Sequence, residues 1–297
     1  MKAKIVKRPL RAAYNLDAFE VLHGQPKLKR LQRDLAIERE KVDALSGTKD
    51  KVHIEQQTDK NILRFALFGD TQVGNAYACP ENLAAFYRLA IERGCEIALH
   101  TGDVLDGWKV YKGQEFELRD VGFDAQIKRF KDEVPKGLRV KFITGNHDAS
   151  YKNQIGVSVG AAIHDARPDW EFVGEDQGLV ELRTASGIPY TVGLYHMGGG
   201  TAYAVSYRPQ KAIEQMEGGR KPNMAAFGHF HKAEFLPTYR NVCVIQTGCF
   251  EWQTPFMARL PTAAHVGGWI IQVQPGESYN IVKAEFIAFY REKNERP

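Results

Sequence analysis

The chain reads as an α/β protein, on three observations. From residue 62 onward, short apolar runs alternate with stretches of helical spacing. Four of those runs are followed by motifs built from Gly, Asp, Asn and His. A basic segment with helical patterning stands ahead of them. Alternation of strands and helices predicts a sheet covered by helices. With 43% apolar and 26% charged side chains in 297 residues, the chain has ample core for a globular fold and is not a disordered or fibrous one.

Residues 1–60 are expected to form a small helical N-terminal extension, and residues 61–297 the main domain. Leu28, Leu31, Leu35, Val42 and Leu45 recur at three- and four-residue spacing, interrupted by Glu38, and predict an amphipathic helix over about 27–46. A shorter helix near 15–22, broken by Gly24 and Pro26, would complete a hairpin, and residues 46–60 read as a connector. The extension holds 14 Lys/Arg against 9 Asp/Glu, while the remainder is close to neutral. Its basic excess suits either a phosphate backbone or an ordinary solvated helix face. The Leu-rich helix would pack on the body or support a homodimer.

In the body, residues 62–68 predict a buried strand, 81–93 a helix, 96–100 a strand, 123–134 a helix and 139–143 a strand. Residues 178–183 and 190–195 predict paired strands, 208–217 a helix, and 223–227, 242–246 and 269–273 further strands. No run reaches the roughly 18 apolar residues of a membrane span, and the N-terminus lacks the apolar core of a secretory signal. Cys79, Cys95, Cys243 and Cys249 show no Cys-x-x-Cys spacing and read as reduced core residues. A cytoplasmic protein with no membrane contact is therefore expected.

The chemistry lies in Asp70-Thr71-Gln72, Gly102-Asp103-Val104-Leu105-Asp106, Gly145-Asn146-His147-Asp148 and Gly228-His229-Phe230-His231. Each follows an apolar run, so each belongs at a strand end, where side chains from separate strands can meet. Carboxylates, an amide oxygen and imidazoles are ligands for hard or borderline divalent metals. Asp103 is the candidate bridging carboxylate. His229 and His231, two residues apart, would share a face if the segment were extended. Together the motifs predict a two-metal hydrolase.

On these motifs the chain resembles the calcineurin-like metallophosphoesterase superfamily from about residue 65 to 250. The resemblance implies a four-layer α/β/β/α sandwich of two mixed β-sheets flanked by helices, and two divalent ions bridged by a carboxylate and a hydroxide. It assigns Asp70, Gln72, Asp103 and His231 to the first ion, and Asp103, Asn146, His196 and His229 to the second. His196 lacks a full local signature, and His164 is its competitor. The resemblance also makes His147 the acid that protonates the leaving oxygen, oriented by Asp106. His23, His53, His100 and His265 read as structural.

Two departures from the family pattern narrow the expectation. The family usually has histidine at Gln72, and an amide oxygen makes that site harder and less suited to zinc. Manganese is therefore the expected ion, ahead of iron, magnesium or zinc. Protein Ser/Thr phosphatases of the superfamily carry arginine where this chain has Gly107, so the resemblance is closer to the DNA-repair nuclease and phosphodiesterase branches. Trp108, Lys109, Tyr111 and Lys112 mix aromatic and basic side chains as nucleic-acid surfaces do, and Tyr207 and Arg208 are candidate substrate-binding residues. The expected activity is a phosphodiesterase or nuclease acting on DNA, RNA or nucleotides. The alternatives are a phosphomonoesterase on a small molecule or phosphoprotein, or a non-catalytic nucleic-acid-associated subunit with a residual metal site.

Overall fold

The structure is a computed structural model that describes residues 52–200, 202–217 and 221–291. The expected N-terminal helices lie outside the described residues. Among those residues the strands are β1 (Val52–Gln56), β2 (Leu63–Phe68), β3 (Ile97–His100), β4 (Arg139–Thr144), β5 (Trp170–Glu175), β6 (Gln177–Arg183), β7 (Pro189–His196), β8 (Met224–Gly228), β9 (Ala233–Tyr239), β10 (Val242–Thr247), β11 (Gly267–Pro275) and β12 (Asn280–Ala288). The helices are α1 (Pro80–Glu92), α2 (Phe123–Glu133), α3 (Asn146–Ile155), α4 (Val159–Ala166), α5 (Tyr207–Gln215) and the short α6 (Pro255–Arg259).

Two six-stranded sheets form. One runs β1-β6-β7-β8-β10-β9 and the other β12-β11-β2-β3-β4-β5. Both are mixed. Strands β2 to β5 are parallel, with β11 and β12 added antiparallel, and β7, β8 and β10 are parallel between antiparallel neighbours. The sheets face each other across a core that includes Phe65, Leu67 and Leu99 from one and Val192, Leu194 and Ile245 from the other. Helices α1, α2 and α4 cover the outer face of the β2–β5 sheet, and α5 packs on β10 outside the other. The expected α/β/β/α layering is the observed one.

Parallel strands bring their C-terminal ends to one edge, and that edge carries the motifs. Strands buried on both faces need continuous apolar sequence, which is why β2, β3 and β4 show no alternation. Phe68, the last residue of β2, sits among the rings of Phe86, Tyr87, His100, Trp170 and Phe250 at 4.8–6.3 Å. That packing anchors the strand end from which Asp70 projects. Residues 52–56, within the expected connector, instead pair with β6 as an edge strand. No helix among the described residues is long and apolar enough to cross a membrane.

Candidate metal centre

Five strand ends deliver the site. Asp70 and Gln72 follow β2, Asp103 follows β3, Asn146 opens α3 after β4, His196 ends β7, and His229 and His231 follow β8. The loops after β2 and β3 are stitched together by backbone bonds: Asp70 N to Gly102 O at 2.9 Å, Val73 N to Val104 O at 2.9 Å and Asp106 N to Val73 O at 3.0 Å. Asp148, wholly buried, accepts from the backbone N–H of Gly145, Val104 and Leu105 and so ties the third motif to the second. Burial and the Asp103 charge push its carboxyl up to about 7, against those three bonds.

The backbone is strained where the candidate ligands sit. Asp70, Gln72, Asp103, His229 and His231 have φ of +48°, +46°, +54°, +84° and +52°. A left-handed residue with a side chain costs on the order of 1–3 kcal/mol and persists where surrounding structure over-determines it, characteristically at functional sites. The expectation of an extended His229–His231 segment is thereby corrected. Two left-handed residues turn the chain, sending His229 to Asn146 and His231 to Asp70 and Glu251. At Gly145 no side chain fits, because a Cβ would stand 2.3 Å from Asp103 Oδ1 and 2.6 Å from His196 Nε2.

Ligand atoms of Asp103, His196 and His229 all lie within 4.8 Å of one another. His196 Nε2 is 3.1 Å from Asp103 Oδ2 and 3.0 Å from Asn146 Oδ1, and His229 Nδ1 is 2.9 Å from the same Asn146 oxygen. The other nitrogen of each ring faces a backbone carbonyl: His196 Nδ1 meets Thr101 O at 2.8 Å and His229 Nε2 meets Gly199 O at 2.8 Å. Such outer contacts fix the tautomer and leave the inward nitrogen as an acceptor. Oxygen and nitrogen atoms from four residues thus converge, a ligand set that fits a cation. On the Asp70 side, the buried Gln72 Oε1 has no hydrogen-bond partner, and His231 Nε2 lies 3.4 Å from Asp70 Oδ1.

Burial and the neighbouring charges act on these side chains in opposite directions. Burial alone would lower His196, but the Asp103 charge and hydrogen bond raise it to about 9. Burial likewise disfavours the charged form of His147, and Asp103 and Asp106 overcome it, raising that ring to about 10. Asp103 is held well below the carboxylate range by these imidazoles despite its own desolvation. Metal binding at such a site releases protons.

His147 Nδ1 meets the Asp106 backbone oxygen at 2.7 Å, with the Asp106 carboxylate 3.4 Å away. Asp106 therefore orients the ring chiefly through its carbonyl. His147 Nε2 faces inward, 4.0 Å from Asp103 Oδ2. Gly107 lies directly behind it with φ +74°, and a Cβ there would fall 2.3 Å from the His147 carbonyl oxygen. No arginine can occupy that position without moving His147.

Gln72, Asp103, Asp106, Asn146, His147, His229 and His231 line a single cavity of about 520 Å³. His164 is elsewhere, on α4, with its ring on Trp170 O at 2.8 Å. Tyr207 is half exposed and does not line the cavity. Arg208 donates to Gly198 O at 2.6 Å and lies 6.0 Å from the Phe230 ring, so it braces the loop whose Gly199 carbonyl meets His229. Its Nη2 is engaged by the Gly198 carbonyl, while its buried Nε has no hydrogen-bond partner. All four cysteines are free and buried.

Sequence patterning missed several groups. Buried Glu251 stands behind His231, 3.6 Å from an Nδ1 that has no hydrogen-bond partner; burial and the Asp106 charge raise its carboxyl well above the usual range. Glu117, also buried, accepts from Tyr111 Oη and Phe256 N, each at 2.8 Å, and so clasps two stacked rings 4.1 Å apart into the cavity wall. Neither acid has a motif around it. Only the tertiary approach of residues 108–117 to 254–262 gives them a role.

A two-sheet sandwich with acids, amides and imidazoles gathered at its strand ends defines a metallophosphoesterase scaffold. The calcineurin-like phosphoesterase family model matches residues 63–233, more than half of the chain, and the chain belongs to that family. It is similar to the DNA polymerase II small subunit of Halobacterium salinarum, 23% identical over 237 residues, covering 64% of this chain. The chain spans only 44% of that relative's length. Among solved structures it is similar to a Vps29 variant from Entamoeba histolytica, with 13% identity, TM-score 0.39, and coverage of 77% of this chain and 100% of the other. A predicted phosphoesterase from Streptococcus pneumoniae gives 11% identity, TM-score 0.36, and coverage of 77% and 98%.

Proposed function

We propose that this chain is a dinuclear, manganese-preferring phosphodiesterase acting on nucleic acid or nucleotides. The observation that carries it is the convergence of metal-ligating side chains from five strand ends, with His147 at the edge of the same cavity. Asp70, Gln72, Asp103 and His231 would hold one ion, and Asp103, Asn146, His196 and His229 the other. Bound ions of this kind polarise a phosphoryl oxygen and lower the pKa of a water.

The chain's own residues orient and move protons. With Nδ1 donating to the Asp106 carbonyl, a protonated His147 keeps its Nε2–H for the leaving oxygen. Asn146 and His147 occupy the first turn of α3, whose N-terminal dipole favours the phosphate charge. Glu251 steadies His231 from behind. The steric exclusion of arginine at Gly107 argues against the protein-phosphatase branch.

The name of the haloarchaeal relative favours a second reading, a subunit of a nucleic-acid assembly. One experiment separates the readings: turnover of bis(p-nitrophenyl) phosphate, p-nitrophenyl phosphate and an oligonucleotide with manganese. The diester and the oligonucleotide should be hydrolysed and the monoester poorly. His147→Ala should lower turnover by about 100-fold or more, the usual scale of a lost general acid, and Asn146→Ala should lower it through the loss of a metal ligand. Unchanged turnover in either removes the mechanism, a monoester preference replaces the diesterase, and no turnover leaves the subunit reading.

A further inference from the structure

The cavity lining contains no lysine or arginine among the described residues, so one phosphodiester there would rely on bound metal for its countercharge. The cations stand just outside. Val110 and Tyr111 form both the cavity wall and one side of a second hollow of about 490 Å³, which also touches Lys109 and Lys112. Lys112 and Gly113 in turn lead to a third hollow of about 460 Å³ that reaches Phe116 and Arg259. Shared lining residues thus order the three hollows into a series leading away from the candidate metal centre.

The path has the chemistry of a polynucleotide backbone site. Lys109, Lys112 and Arg259 are exposed and form no ion pair, whereas most described arginines are paired with acids. Lys109 lies 5.6 Å from the Trp108 ring, and Phe116 projects almost free of the surface at 87% exposure. Its acids are Glu115, which is exposed, and Glu117, whose oxygens are engaged by Tyr111 and Phe256. Unpaired cations beside the open ring of Phe116 suit a single strand, whose phosphates need countercharge and whose unstacked bases offer planar surfaces. A duplex keeps its base faces covered.

We infer that the path from Tyr111 past Lys112 to Phe116 and Arg259 seats the strand flanking the scissile phosphodiester, and that the substrate is single-stranded polynucleotide. The inference rests on the phosphodiesterase reading for the identity of the centre the path leads from. Its test is made by binding in EDTA, so the result does not depend on whether any ester is cleaved.

Fluorescence anisotropy would follow a labelled oligothymidylate of about 12 nucleotides, within the span of common single-strand sites. The Lys109→Ala/Lys112→Ala/Arg259→Ala protein should bind at least about tenfold more weakly at low salt. Its slope of log affinity against log salt should be shallower by about two, at roughly 0.7 per lost phosphate contact. Phe116→Ala should weaken binding and leave the slope unchanged. Equal affinity and slope in the triple variant, or duplex bound as tightly as single strand, overturns the inference. If the wild type cleaves no diester yet shows this charge-dependent binding, the path stands and the enzyme reading falls.

Discussion

At the scale of single residues, the proposed ligand Gln72 gives the sharpest test of the centre. Its amide oxygen is buried and unpartnered, its nitrogen donates to Asp103 Oδ2 at 3.3 Å, and its φ of +46° is one that histidine adopts more readily than most residues. Gln72→His should therefore fold normally and replace a hard oxygen with a borderline nitrogen. Zinc-supported turnover of a diester should rise relative to manganese-supported turnover, measured on metal-depleted protein reloaded with either ion. An unchanged ratio would mean that position 72 does not bind the ion. The ligand candidates were legible because each lies at the last residue of a largely buried strand or one to four residues past it. Glu251 and Glu117 were not, since a buried acid in an aromatic stretch carries no periodic signal and gains its meaning from tertiary partners, Asp106 for one and Phe256 for the other. The left-handed turns at His229 and His231 were equally invisible, because histidine tolerates positive φ without requiring it.

Elements explain the rest of what the sequence did and did not disclose. Strands β2, β3, β4, β8 and β10 are almost wholly buried and read as apolar runs. Strands β1, β9 and β12 lie at sheet edges with half-exposed, irregular patterns, so neither alternation nor a run marks them. Edge strand β1 is also held to the opposite sheet by charge. Glu55 pairs with Arg139 at 2.5 Å and with the buried Lys141 at 3.6 Å, while Glu171 bridges Lys141 and His53. The His53 hydrogen bond, with support from Lys141, lowers Glu171 to about 2. A depressed carboxylate contributes stability above its unfolded value and loses it as pH falls through the folded one. This contribution should therefore be complete above about pH 4.5 and fade toward pH 2. Glu171→Gln should cost about 1 kcal/mol near neutrality, at the low end for a buried partner because Glu171 is half exposed. Urea titrations across that window would read it: the variant should fall less steeply than wild type on acidification. Parallel curves would place the network outside the stability of β1.

For the molecule as a whole, the basic excess of residues 1–60 can be tested separately from the candidate site. The sequence boundary at residue 60 cuts across a structural unit, because Val52–Gln56 runs parallel to β6 with an unbroken register from Val52 with Leu179 to Gln56 with Arg183. A truncation at residue 60 would strip an edge strand and the Glu55 ion pairs together with the basic segment, and any loss of activity would then be ambiguous. A truncation that begins at Asp50 keeps the strand. It removes 12 of the 14 Lys/Arg carried by residues 1–60. If the segment is an electrostatic arm, removing it should weaken oligonucleotide binding and flatten its salt dependence, since each lost phosphate contact lowers the slope. Hydrolysis of bis(p-nitrophenyl) phosphate, which is too small to reach an arm, should keep its kcat and KM. Equal losses on both substrates would make the segment part of the body's stability. The same protein separates arm from path: charge removal at Lys109, Lys112 and Arg259 should still weaken single-strand binding when the arm is gone. Two independent contributions would appear as additive changes in log affinity. A path that worked only with the arm present would show no further loss.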